Sequence, residues 1–496
     1  MGEKLSFLRF KSMAEHGNLI PVYQEFLADT ETPVSAYLKI RDRPSSYLLE
    51  SAEGGKSWGR YSFIGFDPFL NVVSRNGKIE ILREDGETTI QDGGNPLLVL
   101  RDIGRSFKPV GMEDFSPFQG GLVGYCNYEV VRNWEDLPGL SPSGREYPEC
   151  YFTASSRLII FDHLTHTIRL VAFAHIHQGK GLAEAYDEAS IKVDEIVELL
   201  QAPLAPAPPE KRFSLSDIRP NISKEEFKKV VRRAKEYIVS GDVIQVVLSQ
   251  RLSGELSGDD FVLYRNLRSI NPSPYMFYLN FGDIRLIGAS PEVLVRLTGE
   301  KIELKPIAGT RPRGEDSKAD EALEKELMSD PKERAEHIML VDLGRNDVGR
   351  VAIAGSVKVP RLMVVERYSH VMHIVSDVEG VLKPEADGID LFMSAFPAGT
   401  VTGAPKIRAM EIVNELETEP RGPYAGAVGY FGFNGNMDFC ITIRTITLSG
   451  NRLSIQVGAG IVADSSPEAE YDETLRKAGA MLKTIEEAKG YDSNNR

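Results

Sequence analysis

Hydrophobic and polar positions repeat over short distances in the first part of the chain. Short β-branched and aromatic runs, bounded by turn residues, predict strands at 36–40, 46–50, 61–64 and 157–161. Apolar residues recur at helical spacing from Leu182 to Leu200 against an acidic opposite face, which predicts a helix. The pattern indicates a strand-rich N-terminal region, residues 1–200, closed by one helix.

A second region follows residues 201–212, which are rich in Pro and Ala and predict a linker. Ser223 and Glu226 form a capping-box pattern before an amphipathic helix, which we expect Gly241 to end. Strands are predicted at 243–248, 275–279, 293–297, 425–433, 439–447 and 453–457, with Asn434-Gly435 as a hairpin turn. We therefore expect an α+β fold of mixed α/β layers with antiparallel pairing over 213–490, and a flexible tail at 491–496.

Composition narrows the classes of function. The chain has 496 residues, 42% of them hydrophobic, and a formal net charge of −14. No apolar run approaches the roughly 20 residues of a membrane helix, and no basic stripe suits nucleic acid, so we expect neither partner. The N-terminus lacks a secretory signal pattern, which predicts a cytoplasmic location. The three cysteines, Cys126, Cys150 and Cys440, are too few and scattered for a disulfide framework.

Carboxylates at helical spacing are the first candidate chemistry. A glycine-opened turn at 458–460 leads into a helix that carries Glu470, Glu473 and Lys477 on one face. Another helix starts at Asp330-Pro331 and places Glu333 and Glu336 one turn apart. Two helices could thus each offer a carboxylate to a hard cation such as Mg²⁺. The alternatives are a solvated acidic surface and a simple Glu473–Lys477 ion pair.

Several single residues add to this picture. Arg444 lies in the apolar run 439–447, where a buried guanidinium would need an anion such as a substrate carboxylate. Backbone N–H groups of 458–460 could bind an oxyanion, although such segments are more often only turns. His370 and His373 would face opposite sides of a strand and are not a zinc pair. Glu292 is either a core residue or a proton donor with a raised pKa.

Three long motifs connect these residues to a known family. They are 330–337 followed by 343–347, then 396–406, and finally 458–477. Together they resemble the chorismate-utilising enzymes, most closely the large subunits of anthranilate synthases, over about residues 213–490 and more weakly before. No Walker loop, Rossmann fingerprint or serine-hydrolase elbow points elsewhere. The resemblance implies the fold of that family, with antiparallel sheets packed together and helices outside in a two-lobed molecule.

The resemblance also implies roles for individual residues. Glu336 and Glu473 would hold Mg²⁺, with Glu333 and Glu470 supporting them. Glu292 would protonate the departing 4-hydroxyl of chorismate while ammonia adds at C2, and elimination of pyruvate would then give anthranilate. The other residues implied at the chorismate site are Gly309, Thr310, His373, Thr400, Tyr424, Arg444, Gly458, Ala459, Gly460 and Lys477.

Two positions separate the branches of the family. Aminodeoxychorismate synthases of the resembling type carry a nucleophilic lysine where this chain has Ala308. Isochorismate and salicylate synthases have a water-activating lysine where this chain has Gln245. These differences favour ammonia as the nucleophile and anthranilate as the product. The alternatives are an aminodeoxychorismate synthase component and a non-catalytic tryptophan sensor.

Regulation and assembly follow from the same resemblance. In the family, segments corresponding to 48–51 and 271–276 form an inhibitory tryptophan site, contributed in part by the N-terminal region. Its contacts here would be Glu50, Ser51, Pro274, Tyr275 and Met276. None of the cysteines sits in a glycine-flanked elbow, so a separate glutamine amidotransferase subunit is implied, in a heterotetramer.

Overall fold

The structure is a computed structural model that describes residues 4–43, 45–51, 59–111, 116–138, 146–177, 180–204, 213–368 and 371–489. Parts of the predicted linker (205–212), the predicted tail (491–496) and His370 lie outside the described residues. The helices are α1 Phe7–Met13, α2 Pro33–Leu38, α3 Pro96–Ser106, α4 Leu182–Gln201, α5 Lys224–Val239, α6 Phe261–Ile270, α7 Ser317–Ser329, α8 Pro331–Val351, α9 Gly388–Ala395, α10 Lys406–Leu416 and α11 Pro467–Lys489.

The strands before residue 212 are β1 Leu19–Leu27, β2 Ser46–Glu50, β3 Tyr61–Arg75, β4 Lys78–Arg83, β5 Thr88–Asp92, β6 Gly121–Cys126, β7 Cys150–Asp162 and β8 Thr167–His175. Those after it are β9 Ser214–Leu215, β10 Arg219–Pro220, β11 Gln245–Ser257, β12 Tyr275–Phe281, β13 Ile284–Ser290, β14 Val293–Thr298, β15 Lys301–Leu304, β16 Ile307–Pro312, β17 Lys358–Arg367, β18 Val371–Val381, β19 Gly403–Ala404, β20 Ala427–Gly432, β21 Met437–Ile441, β22 Thr445–Ser449 and β23 Arg452–Ile461.

The long pair β3–β7 belongs to two antiparallel sheets. Its first sheet runs β1–β8–β7–β3–β2–β12–β13–β22–β23–β11. Its second runs β5–β4–β3–β7–β6–β20–β21–β14–β15–β18, with β16 and β17 also paired to β18. The β3–β7 register shifts between Pro68 and Leu70, where the strands bend from one sheet into the other.

Alternating side chains on each strand fill two different cores. On β12, Phe277 and Leu279 enter the large cluster that also contains strands of the second sheet, such as Phe439 of β21. Their neighbours Met276 and Tyr278 face a second cluster with helices α2, α6 and α11. The period of two therefore gives a sheet-on-sheet core with helices on the outer face of the first sheet. This confirms the expected α+β architecture.

Strands from both sides of the predicted linker pair with each other. β2 pairs with β12 over Glu50–Met276 to Ser46–Asn280, and β6 pairs with β20. The main-chain ladders therefore join the N-terminal segment directly to the strands that carry the candidate site. No helix in the described part of the chain is both long and apolar enough to cross a membrane.

Several predicted elements are confirmed. Helix α4 ends at Gln201, and the Ser223–Glu226 capping box begins α5. The Asn434-Gly435 turn joins β20 to β21. The strand predicted at 36–40 is wrong, because Thr32 forms a capping box and Pro33 occupies the first turn, so these residues begin α2 instead.

Two further predictions near the candidate site are wrong. The single strand expected at 439–447 is two strands, β21 and β22, and Arg444 lies between them with a φ of 49°. The segment 458–460 is not a turn, because Gly458, Ala459 and Gly460 continue β23 and pair with β11. Long-range strand pairing overrides the local preference of glycine for turns.

Candidate active site

Two of the segments in which the chain crosses from one sheet to the other lie side by side. One crossing runs from β13 through Glu292 to β14, and the other runs from β21 through Arg444 to β22. The Ile441 N–H donates to the Glu292 carbonyl at 3.0 Å, and the Ala289 N–H donates to the Arg444 carbonyl at 3.2 Å. These bonds place an acid and a guanidinium at the junction of the sheets.

Glu292 is the acid of this junction, and its pKa is strongly raised. It is only 8% exposed, and its burial raises its pKa to about 8, against the opposing effects of Thr400, Arg444 and Lys477. The Thr400 hydroxyl lies beside this carboxyl but is buried without a hydrogen bond of standard geometry to the described residues. A carboxyl that is protonated at neutral pH can donate a proton, which is the requirement for a general acid.

His373 lies on β18 and faces Gly309 and Thr310 of β16. Its Nδ1 lies 2.9 Å from the Gly309 carbonyl oxygen and 3.1 Å from Thr310 Oγ1. The carbonyl can only accept, so Nδ1 carries the proton and Nε2 keeps its lone pair. Burial lowers the pKa of His373, which favours the neutral ring. Gly309 has a φ of 63°, and a Cβ there would lie 3.2 Å from Glu333 Oε2.

The end of β23 presents glycine backbone toward Lys477 and Tyr424. The Val247 N–H donates to the Thr402 carbonyl, so the Val247 peptide points away from its partner Gly460. By antiparallel alternation, the peptide groups of Gly458 and Gly460 also point away from β11, whereas Ala459 points toward it. Lys477 Nζ donates to the Gly458 carbonyl at 3.0 Å.

The two glycines also make room for neighbouring side chains. A Cβ on Gly458 would lie 2.4 Å from Tyr424 Oη, and one on Gly460 would lie 2.3 Å from Gln245 Nε2. Gln245 Nε2 donates to Glu336 Oε1 at 3.3 Å, while Gln245 Oε1 is buried with no partner among the described residues. The absence of side chains at both positions therefore keeps two polar groups close to the β23 backbone.

Helices α8 and α11 bring acidic side chains to the same region. The Asp330 side chain caps α8 by accepting from the Lys332 and Glu333 N–H groups. Burial raises the pKa of Glu336, and the Glu333 charge raises it further, while Lys477 and Lys332 lower it. Burial and the Glu473 charge likewise raise the pKa of Glu470, which also responds to Lys332. Lys477 of α11 lowers the pKa of Glu336 on α8, and Lys332 of α8 lowers that of Glu470 on α11, so charges of the two helices lie within electrostatic range of each other.

The donor set fits a hard divalent cation. Glu336 is largely desolvated beside a like charge, and Glu473 forms an ion pair with Lys477 at 2.8 Å. No three His, Cys, Asp or Glu side chains in the described ranges converge to hold a metal by themselves. Mg²⁺ commonly takes one or two protein carboxylates and completes its shell with water and substrate oxygens, so this arrangement suits it.

A second cavity lies between the two sheets, away from Glu292. It has a volume of about 180 Å³ and is lined by all five residues predicted for tryptophan: Glu50, Ser51, Pro274, Tyr275 and Met276. Ser51 Oγ is buried there without a hydrogen bond to the described protein. The Glu50 carboxylate accepts from Tyr264 Oη at 2.5 Å and lies 3.2 Å from Arg268 Nε.

Sequence reasoning missed a polar network on the far wall of this cavity. The Asp438 carboxylate accepts from Tyr275 Oη at 2.7 Å and from Arg296 Nε at 2.9 Å. Arg296 interrupts the apolar alternation of β14 and Asp438 that of β21, which is the signal that could have found them. Sequence reasoning also missed Arg421 and Glu417, which form a buried ion pair behind β11.

The fold agrees with comparisons to known proteins. A family model described as chorismate binding enzyme matches residues 46–483. The chain therefore belongs to the chorismate binding enzyme family. Among solved structures, it resembles the menaquinone-specific isochorismate synthase MenF of Escherichia coli, with a TM-score of 0.71, 18% identity and coverage of 97% of this chain and 100% of that one. That likeness supports the fold alone.

Closer relatives carry one name. The chain is 48% identical over 484 residues to anthranilate synthase component 1 of Acetivibrio thermocellus, covering 96% of this chain and 97% of the relative. It is 47% identical over 491 residues to the protein of that name from Aquifex aeolicus, covering 98% of each chain. The crystal structure of anthranilate synthase component I from Streptococcus pneumoniae matches with a TM-score of 0.76 and 36% identity, over 92% of this chain and 98% of that one.

Proposed function

We propose that this protein is the chorismate-converting component of an anthranilate synthase. Chorismate and ammonia would give anthranilate, pyruvate and water, as the committed step of tryptophan biosynthesis in the cytoplasm. The observation that carries the proposal is the buried Glu292, whose pKa is raised to about 8, beside Arg444 and Lys477, in a chain that aligns over nearly its whole length with component 1 proteins. An acid and two cations at one junction suit a dianionic substrate with a leaving hydroxyl.

The reaction needs a proton at the leaving oxygen and a place for two carboxylates. Glu292 donates its proton to the 4-hydroxyl, which leaves as water while ammonia forms the bond to C2. Arg444 and the peptide N–H groups of Gly458 and Gly460, which point away from β11, would bind carboxylate oxygens. Neutral His373 and the Thr400 hydroxyl, which lies beside Glu292, would flank the ring. The C2–H and C3–O bonds then break, the enolpyruvyl group takes up a proton and leaves as pyruvate, and the ring becomes aromatic.

Mg²⁺ is the cofactor that the acidic helices fit. Glu336 and Glu473 would hold it, with Glu333 and Glu470 close behind on the same helices. When bound, the ion neutralises a carboxylate of the substrate, which this acidic protein must otherwise desolvate beside its own glutamates. The protein residues orient the ring and supply the proton.

Ammonia would come from a glutamine amidotransferase subunit, as the word component in the names of the relatives suggests. Cys126, Cys150 and Cys440 are buried, and none of them sits in a glycine-flanked nucleophile elbow of the kind an amidotransferase uses. The purified chain should therefore form anthranilate from chorismate, Mg²⁺ and ammonium, detected by fluorescence and mass, and should form none from glutamine. A product with the mass of 4-amino-4-deoxychorismate, or glutamine-dependent turnover by the chain alone, would overturn the proposal.

Feedback inhibition by tryptophan is proposed for the second cavity. Its apolar walls from Phe63, Met276 and Phe277, and its polar ends at Glu50, Ser51 and Asp438, suit an aromatic amino acid. Tryptophan should lower the rate of anthranilate formation, and an unchanged rate at saturating tryptophan would refute this part. Tryptophan binding by calorimetry without any chorismate turnover would instead favour a non-catalytic sensor.

A further inference from the structure

Arg421 and Glu417 form a buried ion pair behind the strand that faces the candidate site. The side chain of Arg421 is 2% exposed and that of Glu417 is 9% exposed. Two parallel hydrogen bonds join them, from Nε to Oε2 at 2.8 Å and from Nη2 to Oε1 at 2.7 Å. The pair follows α10 and lies four residues apart, so its local sequence looks like an ordinary ion pair at a helix end.

The pair also holds two backbone segments of the site. Arg421 Nη2 donates to the Val247 carbonyl and Nη1 donates to the Val401 carbonyl, both at 2.7 Å. Glu417 Oε1 accepts from the Ser249 N–H at 2.7 Å and from its hydroxyl at 2.9 Å. β19 pairs with β11 only at Gln245 and Val246. Beyond the end of this short strand, the ion pair forms hydrogen bonds to the main chain along the same edge of β11.

Each segment that the ion pair binds lies next to a residue of the proposed chorismate site. Val247 and Ser249 are the register partners of Gly460 and Gly458 on β23. Val401 directly follows Thr400, which lies beside Glu292. One planar guanidinium therefore joins the strand that pairs with Gly458 and Gly460 to the segment that follows Thr400.

The same guanidinium also packs against a third wall. Its central carbon lies 4.8 Å from the ring centre of Tyr128 and 5.7 Å from that of Tyr424. Glu129 is fully buried and accepts from the Arg421 N–H at 2.6 Å and from the Gly422 N–H at 3.2 Å, which fixes the main chain that leads to Tyr424. Tyr424 Oη in turn reaches the open space above Gly458.

We propose that the Arg421–Glu417 pair is a positioning element for catalysis, which holds the Gly458–Gly460 backbone, Thr400 and Tyr424 in register around chorismate. The proposal rests on the proposed function, because those three groups matter only if chorismate binds there. Arg421 itself does not touch the substrate. Lysine at this position could keep the charge, but it has no planar fork to bind Glu417, Val247 and Val401 together.

The test compares Arg421→Lys with Arg157→Lys, a matched control. Arg157 is also a buried arginine, paired with Glu195 and lying on β7 away from the junction. Misplacement of reacting groups by about 1 Å costs roughly 100-fold in rate, so we expect kcat/KM for chorismate to fall about 100-fold in Arg421→Lys. The control should retain kcat/KM within about threefold while losing a similar amount of thermal stability.

Two further readouts separate positioning from general stability. Thr400 lowers the pKa of Glu292. In Arg421→Lys the Val401 carbonyl is released, so Thr400 should shift, the pKa of Glu292 should rise, and the alkaline limb of the kcat profile should move to higher pH. The limb should stay in place in the control. Glu417→Gln keeps the side-chain volume and serves as the second variant if Arg421→Lys does not fold. Loss of kcat/KM of at least tenfold in a folded variant supports the proposal. Wild-type kinetics in a folded variant, or equal losses in the Arg157→Lys control, overturn it.

Discussion

Replacing Glu292 by glutamine tests both the chemistry and the energetics of the buried acid. The side chain is 8% exposed, and burial raises its pKa from the ordinary 4.5 to about 8. Glutamine has nearly the same shape, cannot donate a proton of useful acidity and carries no ionisable group. We expect kcat for anthranilate formation to fall roughly 10²–10⁴-fold, the usual contribution of a general acid.

The stability effect follows from proton linkage. A raised folded-state pKa means that the native protein binds one more proton than the unfolded chain between about pH 4.5 and about pH 8. Stability from this group is therefore complete below about pH 4.5 and declines as pH rises to about 8. At about 1.4 kcal/mol per pH unit, the wild type should lose about 3 kcal/mol by pH 7 relative to pH 4.5 from this group alone.

The assay is urea unfolding of wild type and Glu292→Gln at several pH values across this window. The variant should lack the pH dependence that Glu292 contributes. As the pH rises, the free energy of unfolding of the wild type should therefore fall relative to that of the variant. The alkaline limb of the wild-type kcat profile near the pKa of about 8 should also disappear. Parallel stability curves together with an unchanged limb would refute the reasoning about Glu292.

Three other perturbations probe separate parts of the molecule. Gly458→Ala would place a Cβ 2.4 Å from Tyr424 Oη, so KM for chorismate should rise at least about tenfold through lost positioning; an unchanged KM would show that this backbone does not face the substrate. Glu336→Gln should raise the Mg²⁺ concentration for half-maximal activity by roughly tenfold or more, because a charged donor is lost, and an unchanged Mg²⁺ titration would exclude Glu336 as a ligand. Asp438→Asn removes the carboxylate that holds Arg296 at the second cavity, so the tryptophan concentration for half inhibition should rise several-fold, and wild-type inhibition would contradict that placement.

Local rules in the sequence were sufficient to predict the acidic helices α8 and α11. Asp330 caps α8, and the 3.6-residue spacing places Glu333 and Glu336 on adjacent turns, as it does for Glu470 and Glu473 on α11. These features depend on neighbours within one or two turns. Spacing alone could not decide whether these glutamates are surface charges or metal ligands. The resemblance of the motifs to the family favoured metal ligands.

The other features of the candidate site depend on contacts between distant segments of the chain. The glycines at 458–460 read locally as a turn, yet ten residue pairs with β11 make them part of a strand. Glu292 stayed ambiguous because its pKa is set by burial at the sheet junction, which no local pattern encodes. Sequence reasoning missed Arg421, because its hydrogen bonds to Val247 and Val401 exist only after the strands assemble.

The ladders β2–β12 and β6–β20 have a consequence for cutting the chain. Cleavage near residue 204 would not release two autonomous halves, because each piece would keep strand edges whose partners lie in the other. Separately produced fragments should instead recombine into one particle, and enzyme activity should return upon mixing. The molecule is thus suited to split-protein complementation, with chorismate turnover as its reporter.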